Sequence, residues 1–245
     1  MEDLRKKLDE IDSQLARLFD ERMSVAADIA RYKRCRSLPI EDKEREAAIL
    51  ARYDEHSHAF REMMEKVILL SKREQARHLN LYLVGMPDSG KTRFGKLLAP
   101  MLERSLADTD KLIMSLTSKT IDEIFDSHGE HIFRLYEHQC LLTVARVGDL
   151  VVATGGGVLT YSDNIALMRE SGKVVFLNRS LDKLLDAGTR NRPLIRSGKN
   201  AIIALYNERF DAYRSAADFT IDPDREGAAE IIADWFKDAI ARTFE

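Results

Sequence analysis

The hydrophobic period of the chain changes near residue 79, and this change constrains the fold more than any other feature. Up to about residue 77, apolar residues recur at three- and four-residue steps, which predicts helices throughout. From Leu79 onward, short β-rich runs alternate with helical stretches, which predicts a parallel sheet with helices on both faces. We therefore predict an all-α domain over residues 1–77 and an α/β domain over residues 79–245.

The first domain is predicted to contain three helices. The first helix spans roughly thirty residues, and its apolar stripe consists of Leu4, Leu8, Ile11, Leu15, Leu18, Val25 and Ile29. Leu38-Pro39 interrupts this pattern, and two further helices are predicted from about Ile40 to Tyr53 and from about Phe60 to Arg77. Other helices must cover a stripe of this length, and a short helical chain usually achieves that by dimerisation.

Five strands are predicted in the second domain. A short strand ends at Ala107, and the other four are LNLYLVG (79–85), DLVVAT (149–154), KVVFLN (173–178) and DFTID (218–222). The helical stretches between them predict a five-stranded parallel sheet.

Composition narrows the class of partner. The net charge of −3 gives no reason to expect nucleic acid or an anionic membrane. The opening MEDLRKKLDE lacks an apolar signal region, and no stretch approaches the roughly 18 apolar residues of a membrane span. We therefore expect a cytoplasmic protein. Cys35 and Cys140 lie too far apart in sequence to indicate a disulfide framework or a zinc site.

A phosphate-binding loop follows the first strand of the second domain. The run GMPDSGKT fits the frame G-x-x-x-x-G-K-[ST] between a strand and a helix, which predicts nucleotide binding. Its backbone amides would surround the phosphates, Lys91 would reach the terminal pair, and Thr92 would bind Mg²⁺. A glycine turn that only closes a βα unit is the alternative. The predicted ATP-binding residues are Gly85, Met86, Pro87, Asp88, Ser89, Gly90, Lys91 and Thr92.

Asp88 places a carboxylate in a loop that receives anions. Intervening loop positions tolerate side chains that face solvent, and Asp accepts left-handed backbone better than most residues. We therefore predict that its carboxylate points outward and that ATP still binds.

Two carboxylates follow the second strand in the run DTD. On extended backbone, residues two apart point to the same side, so Asp108 is predicted to serve Mg²⁺ while Asp110 meets an acceptor hydroxyl. A solvated helix N-cap before KLIMSL is the alternative.

Further candidate residues lie in three later segments. GEHIFRLYE (129–137) places Arg134 and Glu137 at i and i+3 of a helix, and NERFDAY (207–213) places Arg209 on another. ATGGGV (153–158) ends a buried strand in three glycines, which suggests a ligand against bare backbone, or alternatively a tight turn. TRNRPLI (189–195) lies where a lid is expected.

Together these motifs, in this order, resemble shikimate kinase over essentially the whole segment from Leu79. The resemblance implies ATP-dependent phosphorylation of the 3-hydroxyl of shikimate. It further implies that the substrate is held by Asp110, Arg134, Gly155, Gly156, Gly157 and Arg209, and that Arg192 approaches on the lid. The region before the lid is short, and Arg190 is the candidate for stacking on adenine.

The residue types suit this chemistry. Arginine recognises carboxylates with two parallel hydrogen bonds, which fits Arg134 and Arg209 to the carboxylate of shikimate. Arg192 and Lys91 would neutralise the transferring phosphoryl group, and Asp110 would orient the acceptor hydroxyl and accept its proton. Another small-metabolite P-loop kinase, such as one acting on gluconate, is the rival interpretation.

The helical domain carries charges along its apolar face. The period of the first helix places Arg22 and Lys33 on the buried side, about three turns apart and facing the same space. The second helix offers Asp42, Arg45 and Glu46, and the third continues its inward side into Ser71 and Gln75. The alternative is a charged three-helix module whose long side chains reach out to water.

The joint pattern resembles the all-helical class of chorismate mutase, in which three helices per chain interlock as a dimer. Arg5, Arg22, Lys33, Asp42, Arg45, Glu46, Ser71 and Gln75 fall in order on that family's active-site positions. Arg5 lies off the stripe, and in the family this arginine reaches into the partner's site.

The resemblance implies a unimolecular rearrangement of chorismate to prephenate without metal or cofactor. Arg5, Arg22 and Arg45 would hold the two carboxylates, and Lys33 and Gln75 would donate to the ether oxygen. Glu46 would accept from the ring hydroxyl. A non-catalytic dimerisation or effector-binding module is the alternative, although Lys33 and Gln75 have no evident use in binding alone.

Overall fold

The computed structural model describes residues 1–36, 38–53, 56–76, 78–186 and 199–242. The chain divides into two compact units. We call Met1–His78 with Ile240–Glu245 the helical unit and Leu79–Ala239 the sheet unit.

Three helices form the helical unit: α1 (Glu2–Cys35), α2 (Lys43–Ala51) and α3 (His58–Ala76). The predicted three-helix architecture is therefore confirmed. α2 is shorter than predicted because Asp42 caps it: the Asp42 carboxylate accepts from the Arg45 amide at 3.0 Å, so the helix begins one residue later.

The apolar stripe of α1 is exposed in the single chain. Its seven residues are between 41 and 69 % exposed, whereas Ala26 and Ala30, on the side that meets α3, are at most 4 % exposed. The stripe is therefore not covered within one chain, and its coverage by a second copy stays a prediction. α1 has 34 residues and α3 has 19, so most of the stripe extends past the helix that packs on it.

Five parallel strands form the sheet, as predicted, and their order is β2-β3-β1-β4-β5. Their bounds are β1 (Asn80–Val84), β2 (Ser105–Asp108), β3 (Leu150–Ala153), β4 (Gly172–Leu177) and β5 (Phe219–Ile221). β1 is buried along its whole length because strands lie on both of its edges and helices cover both of its faces.

Helices connect the strands of the sheet unit. They are α4 (Lys91–Met101), α5 (Thr109–Thr117), α6 (Ile121–Val147), α7 (Ser162–Ser171), α8 (Leu181–Asp186), α9 (Lys199–Ala216) and α10 (Ala228–Ala241), with a 3-10 turn at Val158–Thr160. α6 is broken at Gly129, whose φ of 77° interrupts the helix. The order β1-loop-α4 places the phosphate loop at the carboxyl edge of the central strand, where ligands of such sheets bind.

No helix in the described part of the chain has both the length and the apolar composition needed to cross a membrane.

Candidate active sites

The phosphate loop connects the end of β1 to the start of α4. Gly85 has a φ of 147°, and a Cβ there would lie 2.8 Å from the Leu177 carbonyl, so a side chain at this position is excluded. The Lys91 ammonium donates to the carbonyls of Gly85 and Met86, both at 2.8 Å. The loop therefore folds around Lys91, which is only 7 % exposed.

Asp88 adopts left-handed backbone, with a φ of 62°. This is the conformation that we predicted the residue to tolerate. The neighbouring Ser89 is 1 % exposed, and its hydroxyl has no hydrogen-bond partner within the described residues.

Thr92 and Asp108 bring two oxygens together beside the loop. The Thr92 hydroxyl donates to the Asp108 carboxylate at 2.8 Å, and the other Asp108 oxygen accepts from the Lys111 amide at 3.3 Å. Asp108 is thus the N-cap of α5 while also facing Thr92, so the two interpretations of the DTD run were not exclusive.

Asp110 lies in the first turn of α5 and not on extended backbone. The argument that placed it on the same side as Asp108 is therefore wrong, because the strand ends at Asp108. The helix nevertheless directs Asp110 toward the glycine run: its carboxylate lies 3.0 Å from the position of a Cβ on Gly155.

A buried ion pair on α6 faces the glycine run. Arg134 bonds to Glu137 at 2.7 Å and to Glu130 at 2.7 and 3.2 Å. Arg134 is 8 % and Glu137 1 % exposed. The two residues are three apart on the helix, so both point to the same side.

The three glycines leave room for this pair. A Cβ on Gly155 would overlap the Glu137 carboxylate, and one on Gly157 would overlap the Arg134 guanidinium. A Cβ on Gly156 would press on the ring of Pro87 at 3.1 Å, so the run also lies against the phosphate loop. The Gly155 amide donates to the Thr109 hydroxyl at 2.9 Å, which fixes the run to the start of α5.

Arg209 and Tyr213 reach the same run from α9. The Arg209 guanidinium donates to the Gly156 carbonyl at 3.0 Å, and the Tyr213 hydroxyl donates to the same oxygen. Arg209 is 7 % exposed, and its Nε has no hydrogen-bond partner within the described residues. Two buried arginines and two carboxylates, Asp110 and Glu137, therefore surround the glycine run.

Burial sets the electrostatics of this cluster. It raises the pKa of Glu137, although Arg134 and Arg209 pull the pKa down, and nearby Asp110 adds to the rise. Burial also raises the pKa of Tyr213 to about 12, so its hydroxyl stays protonated. One oxygen of Glu137 has no hydrogen-bond partner within the described residues. The cluster can therefore supply both cationic donors and a hydroxyl-orienting carboxylate.

The predicted lid residues Arg190 and Arg192 lie outside the described residues.

In the helical unit, α1 and α3 bring part of the second predicted site together. The Arg22 guanidinium donates to the Ser71 hydroxyl and, at 3.2 Å, to the Val67 carbonyl. Gln75 lies one turn further along α3 and is 9 % exposed, and its side-chain oxygen has no hydrogen-bond partner within the described residues. Burial lowers the pKa of Arg22, and Tyr53 offsets part of this effect.

The remaining residues of the predicted chorismate site are less buried. Lys33 donates to the Ile40 carbonyl at 2.6 Å, and Arg5, Asp42 and Arg45 are exposed. The Glu46 carboxylate pairs with the ammonium of Lys72 at 3.0 Å. Lys72 was not among the site residues predicted from the sequence.

Three residues of the sheet unit also escaped assignment as site residues. Glu137 was visible at i+3 from Arg134, and Tyr213 lies at i+4 from Arg209, so helical spacing could have indicated both. Thr109 lies between the two carboxylates of the DTD run, and its contact with Gly155 depends on the fold alone.

Comparison with known proteins identifies both units. Residues 87–239 match the family model for shikimate kinase, and residues 4–76 match the model for chorismate mutase type II. The shikimate kinase of Clostridium beijerinckii is 40 % identical over 144 residues, which is 58 % of this chain and 85 % of that protein. The chain belongs to the shikimate kinase family.

Solved shikimate kinases agree with this assignment. The enzyme from Acinetobacter baumannii in complex with shikimate matches with a TM-score of 0.61 and 34 % identity, covering 68 % of this chain and 94 % of that one. The enzyme from Bacteroides thetaiotaomicron matches with a TM-score of 0.58 and 28 % identity, covering 66 % and 98 %.

The predicted combination of a chorismate mutase domain and a shikimate kinase domain is thereby confirmed. The chain is a bifunctional enzyme of the shikimate pathway that acts on small molecules, and its kinase family uses ATP. The match favours shikimate kinase over the rival interpretation of another small-metabolite P-loop kinase.

Proposed function

We propose that the sheet unit transfers the terminal phosphoryl group of ATP to the 3-hydroxyl of shikimate and that the helical unit rearranges chorismate to prephenate. We place the boundary between the two domains at residues 77 to 79. The observation that carries the kinase half is the placement of Arg134, Arg209 and Asp110 around a glycine run that touches the phosphate loop.

In the kinase reaction, Arg134 and Arg209 bind the carboxylate of shikimate. Their burial favours this role because a charge-assisted hydrogen bond gains strength where water is excluded. Asp110 orients the acceptor hydroxyl and accepts its proton, and the glycines Gly155 to Gly157 let the ring approach the backbone.

The phosphate loop holds ATP with its amides at the N-terminus of α4. Lys91 moves from the carbonyls of Gly85 and Met86 to the phosphates and neutralises the transferring group. Arg192 contributes a second positive charge from the lid. Because phosphoryl transfer needs little covalent help, positioning and charge account for most of the acceleration.

The pair of Thr92 and Asp108 fits Mg²⁺. A hydroxyl and a carboxylate oxygen 2.8 Å apart beside the phosphate loop are hard donors of the kind this ion takes alongside phosphate oxygens. The bound ion would neutralise charge on the phosphates.

In the mutase reaction, the chain orients and polarises its substrate without a cofactor. Arg5, Arg22 and Arg45 bind the two carboxylates and hold the reactive conformer. Lys33 and Gln75 donate to the ether oxygen as negative charge develops there. The contact of Arg22 with Ser71 supports this arrangement because it joins α1 to α3 at predicted site residues.

Glu46 accepts a hydrogen bond from the ring hydroxyl of chorismate. Asp42 and Ser71 are the remaining residues of the predicted chorismate site. Lys72 holds Glu46 in place through their ion pair, whose side chains are 14 and 25 % exposed.

The helical unit forms the interface of a homodimer in the cytoplasm. The exposed stripe of α1 supports the dimer, since a contiguous apolar surface of this kind marks an interaction site. A second copy would cover the stripe and bring the partner's Arg5 to the open end of the site.

Two assays on the purified chain test the proposal. Chorismate should be consumed with formation of prephenate, and ADP should be released on addition of shikimate but not of gluconate. Chorismate binding without turnover would instead support the alternative of a non-catalytic effector-binding module. Sedimentation equilibrium should give twice the chain mass.

A further inference from the structure

Arg179 connects two loops at the carboxyl edge of the sheet. It lies two residues after β4, the strand placed between β1 and β5. Toward β1, its Nη1 donates to the Asp88 carbonyl at 2.9 Å. Toward β5, its Nε and Nη2 donate to the two carboxylate oxygens of Asp224 at 3.1 and 3.4 Å.

Arg179 contacts the phosphate loop at Asp88, a residue with an unfavourable backbone conformation. Asp88 has a φ of 62°, a conformation that costs free energy for any residue with a Cβ. A guanidinium bonded to its carbonyl favours this conformation over alternatives that turn the carbonyl away. The loop amides that receive phosphate are therefore held in part by a residue outside the loop.

The contact with Asp224 fixes the guanidinium itself. A two-point hydrogen bond between guanidinium and carboxylate sets the plane of the arginine as well as its distance. Lys183 also contacts Asp224, at 3.2 Å. The hydrogen bonds from Lys183 and Arg179 lower the pKa of Asp224 against the opposing effect of burial, so the carboxylate stays ionised.

We propose that Arg179 is a positioning residue of the ATP site that holds the phosphate loop at Asp88 against the β5–α10 loop at Asp224. The proposal rests on the proposed kinase function and adds a residue that no motif contains. Arg179 acts through the backbone of the loop and does not take part in the transfer itself.

The first test compares Arg179→Met with Lys183→Met. The Michaelis constant for ATP should rise about tenfold in Arg179→Met, the order expected for one lost hydrogen bond from a charged donor. The KM for shikimate and kcat at saturating ATP should stay within about twofold of wild type. Lys183→Met removes a neighbouring charge without touching Asp88, so its KM for ATP should stay within about twofold too.

The second test separates positioning from direct contact with the nucleotide. Asp224→Asn removes the charge that fixes Arg179, so positioning predicts a smaller rise in the KM for ATP. Contact with ATP alone predicts unchanged or tighter binding, because Arg179 would be released toward the phosphates. Arg179→Lys, which can reach one of the two partners, should fall between wild type and Arg179→Met.

Three results would overturn the proposal: an unchanged KM for ATP in Arg179→Met, an equal rise in Lys183→Met, or unchanged or tighter ATP binding in Asp224→Asn. Calorimetric titration of each variant with MgATP, without shikimate, measures the same affinities. This titration remains informative even if shikimate is not the substrate, so failure of the proposed function and failure of the Arg179 proposal are distinguishable. Melting temperatures identify any variant that fails to fold.

Discussion

The two units of the chain differ in how much of each active site one chain completes. In the sheet unit, the charged site residues are buried and already paired: Lys91, Arg134 and Arg209 all bond to groups of the same unit and are at most 8 % exposed. In the helical unit, Arg22 and Ser71 meet, while Arg5 and Arg45 face outward and the stripe of α1 is open.

This difference follows from the two architectures. A parallel sheet collects the ends of all its strands at one edge, so residues distant in sequence converge within one chain. Three helices enclose less space, and the long α1 extends past its neighbour. We therefore expect the kinase site to work in a monomer and the mutase site to need a second copy.

The largest expected effect comes from disrupting the proposed dimer. Leu8→Glu with Leu15→Glu places two charges on the stripe, where the native side chains are 60 and 51 % exposed in one chain. The double variant should be monomeric and lose mutase activity by about a thousandfold, because the partner's Arg5 and the enclosed site are both lost. Kinase activity should stay within about twofold of wild type.

Ser13→Glu is the matched control for this experiment. Ser13 is two positions from Leu15 and so lies on roughly the opposite side of α1. It should leave the mass and both activities unchanged. Sedimentation equilibrium measures the mass, and the two activity assays measure each site. A parallel loss of kinase activity in the double variant would contradict the expectation that only the mutase site depends on a second copy.

A single substitution in the mutase site should have the next largest effect. Lys33→Gln removes a cationic donor to the ether oxygen, and kcat should fall by about a hundredfold, as for the loss of one oxyanion donor. The KM for chorismate should change little, since charge on that oxygen develops only in the transition state. Normal mutase turnover in this variant would show that Lys33 is not the donor to the ether oxygen, and the solution mass reports on whether the helical unit is intact.

The sequence predicted the sheet unit well because its signals are local. The phosphate loop, the buried strands and the glycine run each depend on neighbouring residues, and the alternation of strands and helices indicates a parallel sheet but not the order of its strands. The position of Asp110 was misjudged because the strand ends one residue before the helix that carries it. Thr109 and Arg179 were missed because their partners, Gly155 and Asp224, are 46 and 45 residues away in sequence.

In the helical unit, periodicity predicted the helices but not the surface that each one buries. The stripe of α1 and the side with Ala26 and Ala30 lie close together around the helix, and only contact with α3 decides which of them is covered. The pairing of Glu46 with Lys72 joins residues 26 apart on different helices, which helical spacing cannot indicate.

The buried hydroxyl of Tyr213 should make the stability of the sheet unit depend on pH in the alkaline range. The folded protein raises the pKa of Tyr213 from about 10 to about 12, so the unfolded chain loses this proton first. Tyr213 therefore contributes stability that is complete below about pH 10 and is lost as pH rises toward 12. Between pH 9 and 11, wild type should lose about 1 kcal/mol more than Tyr213→Phe, measured by urea unfolding.

Tyr82→Phe provides the comparison for this measurement. Burial also raises the pKa of Tyr82, but its hydroxyl bonds to Ser171 and Asn80, away from the glycine run. Both variants should reduce the loss of stability at high pH, whereas only Tyr213→Phe should raise the KM for shikimate. An unchanged KM in Tyr213→Phe would show that its bond to Gly156 does not shape the site.

The smallest expected effect concerns the loop on which the kinase site depends. Asp88→Gly removes a negative charge from the phosphate loop and places glycine at a left-handed position, where it carries no Cβ penalty. ATP affinity should therefore be equal or up to about fivefold tighter. Asp88→Ala also removes the charge but keeps the Cβ at a φ of 62°, so a gain seen only with glycine comes from the backbone. Arg179 bonds to the main-chain carbonyl, which both variants retain. Weaker binding by Asp88→Gly, measured calorimetrically, would show that the carboxylate assists ATP and that the sheet unit's loop is tuned by this side chain.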